Sequence, residues 1–128
     1  MRRRRVLVAE DHPTMRDAVR AVLAGEGYDV TDVADGAGAL AEIARERPDV
    51  LVLDLHMPVM DGAAVLAALR ADIAAAYLPV IVMTADGEEG RKAAEGLGAD
   101  EYVTKPFDPA ALLQTMARVL GEDDSPAG

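Results

Sequence analysis

Val50-Leu51-Val52-Leu53 runs directly into Asp54, and the chain continues Leu55-His56-Met57-Pro58-Val59-Met60-Asp61-Gly62. Four consecutive apolar residues with no polar alternation predict a strand covered on both faces, as in the centre of a parallel sheet. A loop over 55–61 leads into a helix over about 63–71. Upstream, residues 5–9 form a second apolar run. A helix follows from Pro13, with Met15, Ala18, Val19, Val22 and Leu23 at spacings of three and four. Proline suits its first position, and Gly25 and Gly27 suit its exit. Residues 28–33 alternate apolar and polar, as an edge strand does. Asp35 caps a helix predicted to reach residue 47, where Pro48 ends it.

Downstream the alternation continues. A strand is predicted over 79–83, a weak helix over 88–97 and a strand over 101–103. Gly90 and Gly96 each cost that helix roughly 1 kcal/mol relative to alanine, which fits an element able to move. The last helix has Asp108 as cap and Pro109 at its first position, and buries Leu112, Leu113, Met116 and Leu120. Residues 122–128 are acidic and small and read as a disordered tail or linker stub, leaving one domain over 1–121.

Strict strand–helix alternation predicts an α/β fold: a doubly wound, five-stranded parallel sheet, flavodoxin-like (βα)5, with strand order 2-1-3-4-5. Ligands of such folds bind beyond the carboxyl ends of the strands, near the switch in strand order. The chain has 128 residues, 51% of them hydrophobic, enough for a core built from aliphatic side chains. Cysteine is absent, which removes disulfides and thiolate metal sites and suits the cytoplasm. No run is long enough to span a membrane. A net charge of −10 argues against nucleic-acid binding by this domain. Arg2 to Arg5 read as a solvated leader, with a partner-docking or nucleic-acid arm as the alternative.

The carboxyl ends of the strands carry Glu10 and Asp11 (first), Asp54 (third), Thr84 (fourth) and Lys105-Pro106 (fifth). The predicted order brings these side chains to one rim. Crowded carboxylates repel and raise one another's pKa. A hard divalent cation relieves this, and Mg²⁺ takes a few carboxylates plus water and phosphate oxygens. Lys105 adds a positive charge and Thr84 a hydroxyl. Together they predict a phosphoryl-transfer site with Asp54 as nucleophile. Singly each residue has a plainer use: Asp11 as a helix cap, Thr84 as a strand end, Lys105 as a solvated lysine.

With these motifs in place the sequence resembles the response-regulator receiver family, whose fold is CheY-like. The pieces are Glu10-Asp11, the run from Asp54 to Gly62, Thr84-Ala85 and Lys105-Pro106-Phe107, within a match over about 5–120. The resemblance implies that Asp54 accepts the phosphoryl group in a Mg²⁺-dependent reaction, with Mn²⁺ as a substitute ion. It implies Asp11 as a direct metal ligand, Glu10 as a ligand through water, and Asp54 and the His56 main-chain carbonyl as the others. Lys105 and Thr84 would stabilise the phosphoryl oxygens, Thr84 and Tyr102 would form the switch, and the Lys105–Pro106 bond would be cis. His56 and Asp86 occupy positions that tune phosphoryl lifetime. The implied partners are a sensor histidine kinase or histidine phosphotransfer protein as donor, and a downstream protein meeting the helix 4–strand 5–helix 5 face.

Two other classes share part of this pattern. An aspartyl-nucleophile phosphohydrolase of the haloacid-dehalogenase type wants an acid two residues after its nucleophile, where this chain has His56. A flavodoxin-like cofactor binder wants a Ser/Thr/Gly phosphate loop after the first strand, where this chain has Glu10-Asp11-His12-Pro13.

Overall fold

The computed structural model describes residues 3–57, 60–84 and 87–121. Five strands and five helices alternate: β1 (Arg5–Ala9), α1 (Pro13–Gly25), β2 (Asp29–Val33), α2 (Gly36–Arg45), β3 (Val50–Asp54), α3 (Gly62–Ala71), β4 (Val80–Thr84), α4 (Gly87–Gly96), β5 (Glu101–Thr104) and α5 (Pro109–Leu120). All strand pairings are parallel, in the order β2-β1-β3-β4-β5. The expected fold class and strand order are those observed.

Side chains of a strand alternate between the faces of a sheet, and here that alternation divides the core in two. Leu7, Leu51, Leu53, Val80 and Val82 pack on one face with Ala39 and Ile43 of α2, Val65, Leu66 and Leu69 of α3, and Ala94 of α4. Val6, Val8, Val50, Val52, Ile81 and Met83 pack on the other with Val19 and Leu23 of α1 and Leu112 and Met116 of α5. β3 and β4 are buried along their whole length. The edge strand β2 has no fully buried residue, and the other edge, β5, has one, Val103.

Aspartates start three helices. Asp35 accepts from the Gly38 N–H at 2.6 Å, Asp61 from Ala64 at 2.9 Å and Asp108 from Ala110 at 3.2 Å. Helix α1 begins without a side-chain cap, its Ncap being His12 rather than Asp11, and Pro13 fixes its first turn.

Several details differ from expectation. α2 ends at Arg45, not residue 47, because a residue before proline is disfavoured in the helical region. Ala18 is exposed, and Leu113 and Leu120 are only partly buried. Thr115, not expected in the core, is buried, its hydroxyl donating to the Ala111 carbonyl at 2.8 Å. The tail over 122–128 lies outside the described residues. Among the described residues, no helix is long and apolar enough to cross a membrane.

At the amino ends of β4 and β5, the Arg70 guanidinium joins three segments. It donates to the carbonyls of Ala76 (3.0 Å) and Leu78 (2.8 Å), to Gly98 (3.0 Å) and to the Asp100 carboxylate (3.1 Å). Asp100 in turn accepts from the Val80 N–H at 2.7 Å.

Candidate phosphoryl-transfer and metal site

β1 and β3 are neighbours, and their connections leave in opposite directions. Their carboxyl ends therefore open into a crevice, a cleft of about 470 Å³ whose polar lining includes Glu10, Asp11, Asp54, His56 and Lys105. Asp54 is the last residue of β3, held in the sheet by its pairing with Met83. Gly62 keeps the loop after it tight. Its N–H donates to the Leu55 carbonyl at 3.0 Å, and a Cβ there would lie 2.7 Å from the Leu55 Cα and collide with the Asp54 carbonyl oxygen.

One carboxylate oxygen from each of Glu10, Asp11 and Asp54 lies within 4.8 Å of the other two. Glu10 and Asp54 are buried and Asp11 is partly exposed. The Lys105 ammonium sits 2.9 Å from Asp54 Oδ1 and 3.2 Å from Glu10 Oε1. Asp54 Oδ1 also accepts from the His56 backbone N–H, and Glu10 Oε2 from that of His12, both at 3.1 Å. Two oxygens are left over. Asp54 Oδ2 is buried without a hydrogen-bond partner among the described residues, and Glu10 Oε1 has only the Lys105 ammonium beside it, at 3.2 Å.

Burial pushes the Glu10 carboxyl above its ordinary pKa; the neighbouring Asp54 adds to this, while the His12 N–H and Lys105 oppose it. Burial works against the Lys105 ammonium too. There the hydrogen bond and charge of Asp54, with the charge of Glu10, prevail, and its pKa is raised. Three crowded carboxylates against one ammonium, with a buried acceptor unmatched, form an all-oxygen donor set that fits a hard divalent cation.

Not every rim residue converges. Thr84 ends β4 and is buried, but among the described residues lining the cleft it does not appear, because its hydroxyl packs against α4 at Gly90. The Tyr102 ring is half-buried against the core beneath α2–α4. The His56 side chain is exposed. The Lys105–Pro106 bond is cis. Asp86 lies outside the described residues. Arg16, which no sequence motif marks, donates to the main-chain carbonyls of Glu10 (3.0 Å) and Asp11 (3.4 Å) and lies 3.9 Å from Asp32. No local pattern signals such a reach from a helix back to the preceding loop.

Comparison with known proteins agrees with this geometry. The response regulator receiver domain family matches residues 6–117. The DNA-binding response regulator MtrA of Mycolicibacterium smegmatis is 39% identical over 128 residues, covering 98% of this chain and 54% of that protein. The chemotaxis response regulator CheY4 of Vibrio cholerae superposes with a TM-score of 0.87 at 34% identity, covering 93% of this chain and 100% of that one. The receiver domain of the Pseudomonas aeruginosa sensor histidine kinase PA1611, solved with magnesium in its active-site cleft, superposes with a TM-score of 0.87 at 32% identity, covering 94% and 99%. The chain belongs to the response regulator receiver family, the signal-accepting domain of two-component systems. It spans about half the length of the curated relatives it matches.

Proposed function

We propose that this domain takes a phosphoryl group onto Asp54 in a Mg²⁺-dependent reaction and switches a partner-binding surface in response. The observation that carries the reading is the state of the Asp54 carboxylate. One oxygen is pinned by Lys105 and the His56 N–H, while the other is buried, without a hydrogen-bond partner among the described residues, beside two more acidic groups. A buried acceptor without a partner costs about 1–3 kcal/mol, a cost that a function explains.

Asp11 and Asp54 would hold the ion directly, Glu10 through water, and the His56 carbonyl would complete the protein's share. The bound ion supplies charge neutralisation at the transferring oxygens. Asp54 attacks phosphorus as the bond from phosphorus to the donor's histidine nitrogen breaks, and the freed imidazole keeps the electron pair. Lys105 holds the attacking carboxylate and then the phosphoryl oxygens. Phosphorylation adds a charge of about −1.5 to −2 and three acceptor oxygens. Thr84 would turn from α4 toward them, with Tyr102 following into the space released and the α4–β5–α5 face changing shape for its target. His56, whose exposed side chain lines the cleft, and Asp86 would set how fast water reaches the phosphoryl group. A sensor histidine kinase or a histidine phosphotransfer protein is the donor in this reading, and the cytoplasm the setting.

The test is intact mass after incubation with acetyl phosphate, with and without Mg²⁺, on wild type and Asp54→Asn, alongside a receiver of known competence. A Mg²⁺-dependent gain of one phosphoryl group, lost in the variant, is expected. The same gain in Asp54→Asn, or sustained release of phosphate in place of stoichiometric labelling, would overturn it.

A further inference from the structure

Gly90 stands one turn into α4 and is buried. A Cβ built on it would collide with Thr84 Oγ1 and lie 2.8 Å from Thr84 Cγ2 and 3.1 Å from Thr84 Cβ. All three nearest atoms belong to that one side chain. Gly96 of the same helix has nothing within 4 Å of such a Cβ. The two glycines are therefore not equivalent. The expectation that both mark a mobile helix gives way, at Gly90, to a specific packing need.

We propose that Gly90 is a positioning residue for the switch: its missing side chain forms the seat in which the Thr84 hydroxyl rests against α4. The inference rests on the receiver reading of Thr84 and adds what holds that residue outward. Threonine is β-branched and restricted at χ1, so its hydroxyl moves between a few staggered positions and does not drift. The occupied position is the one that a methyl on residue 90 would close. Thr84 cannot yield by flexing a distal end, because it has none. Either α4 lifts or the hydroxyl leaves the seat, and leaving is the motion that phosphorylation demands. Gly90→Ala therefore raises the population of the activated arrangement before any phosphoryl group arrives.

The test compares wild type, Gly90→Ala, Thr84→Ala and the double variant. With the Thr84 side chain cut to its Cβ, the nearest of the three conflicts falls to 3.1 Å, so the double variant serves as the control. In metal-free, donor-free protein, the Thr84 γ2-methyl resonance of Gly90→Ala is expected to move away from its wild-type position. Acetyl phosphate labelling, followed by intact mass, is expected to quicken by about three- to tenfold in Gly90→Ala, the scale of a modest population shift. The same substitution should change the rate less than about twofold in the Thr84→Ala background. An unmoved methyl, or an equal rate effect with and without Thr84, overturns the proposal. If Gly90→Ala fails to fold while the double variant folds, the collision is confirmed; if both fail, it lies elsewhere and the proposal falls. Absence of labelling in wild type would count against the receiver chemistry alone, because the methyl comparison needs no donor.

Discussion

Lys105 Nζ lies 2.9 Å from Asp54 Oδ1 and 3.2 Å from Glu10 Oε1, so one ammonium serves two buried carboxylates. Removing either side of this arrangement has consequences of opposite sign. Lys105→Met leaves the carboxylates without a cation and should destabilise metal-free protein by about 3–5 kcal/mol at pH 7. Chemical denaturation followed by far-UV circular dichroism checks this. The chain has no Trp, and Tyr77 is 88% exposed, so intrinsic fluorescence would report poorly.

Asp54→Asn should do the reverse. Its amide oxygen can keep the bonds to Lys105 and His56, and its NH₂ then takes the place of the unpartnered Oδ2 beside the other carboxylates. A gain of about 1–3 kcal/mol is expected in EDTA. Mg²⁺ at about 100 times its Kd should stabilise wild type by about 2.7 kcal/mol and the variant far less. A loss of stability in EDTA would contradict the charge-crowding account.

Glu10 gives the metal-free protein a pH dependence. Its folded pKa is raised, chiefly by burial. A carboxyl of this kind binds its proton more tightly when folded. Its favourable contribution is full below the unfolded value of about 4.3 and is lost as pH rises through the folded value. In EDTA, stability should therefore fall above about pH 4.3, and Glu10→Gln should flatten that fall. Parallel pH profiles for the two proteins would refute the assignment.

Arg16 acts on the site at one remove. Its guanidinium ties the carbonyls of Glu10 and Asp11, fixing the loop that carries both carboxylates. Arg16→Met should weaken Mg²⁺ binding by about tenfold, the lower range for partners that orient metal ligands. Calorimetric titration reads this directly. A Kd within twofold of wild type would mean that the loop orders itself.

Arg70, at the opposite end of the strands, should behave differently. Arg70→Met breaks the joint between the end of α3, the α3–β4 loop and the α4–β5 turn. A cost of about 2–4 kcal/mol is expected from several charge-assisted bonds lost together. The acetyl phosphate labelling rate of the folded fraction should be unchanged.

The fold was legible because burial on both faces writes itself as uninterrupted apolar runs. β3 and β4 are such runs, and Asp35 and Asp108 sit where capping chemistry requires them. The acidic trio and Lys105 were legible for a related reason, since strand ends in a known order fix which residues meet. What stayed hidden depends on distance and shape. Arg16 and Arg70 bond to carbonyls, which every residue carries and no motif records. Gly90 reads as a weak helix position until the atoms of Thr84 are seen against it. The direction of the Thr84 hydroxyl is a rotamer, and a sequence does not encode one side-chain angle legibly.

The two margins of the sheet have a bearing on crowding at high protein concentration. A strand with a free flank invites a second chain to add to it. At one margin β2 carries exposed Asp29 and Thr31 with Asp32 between them and Val33, and at the other β5 is only four residues long and begins with Glu101. Acidic side chains at both borders, partly matched by Arg20 beside Asp32 (3.6 Å) and Arg118 beside Glu101 (3.5 Å), would set like charge against like in any edge-to-edge joining of sheets. Joining of this kind would become easier in high salt or acid, which blunt that repulsion, and light scattering across those conditions would register it first.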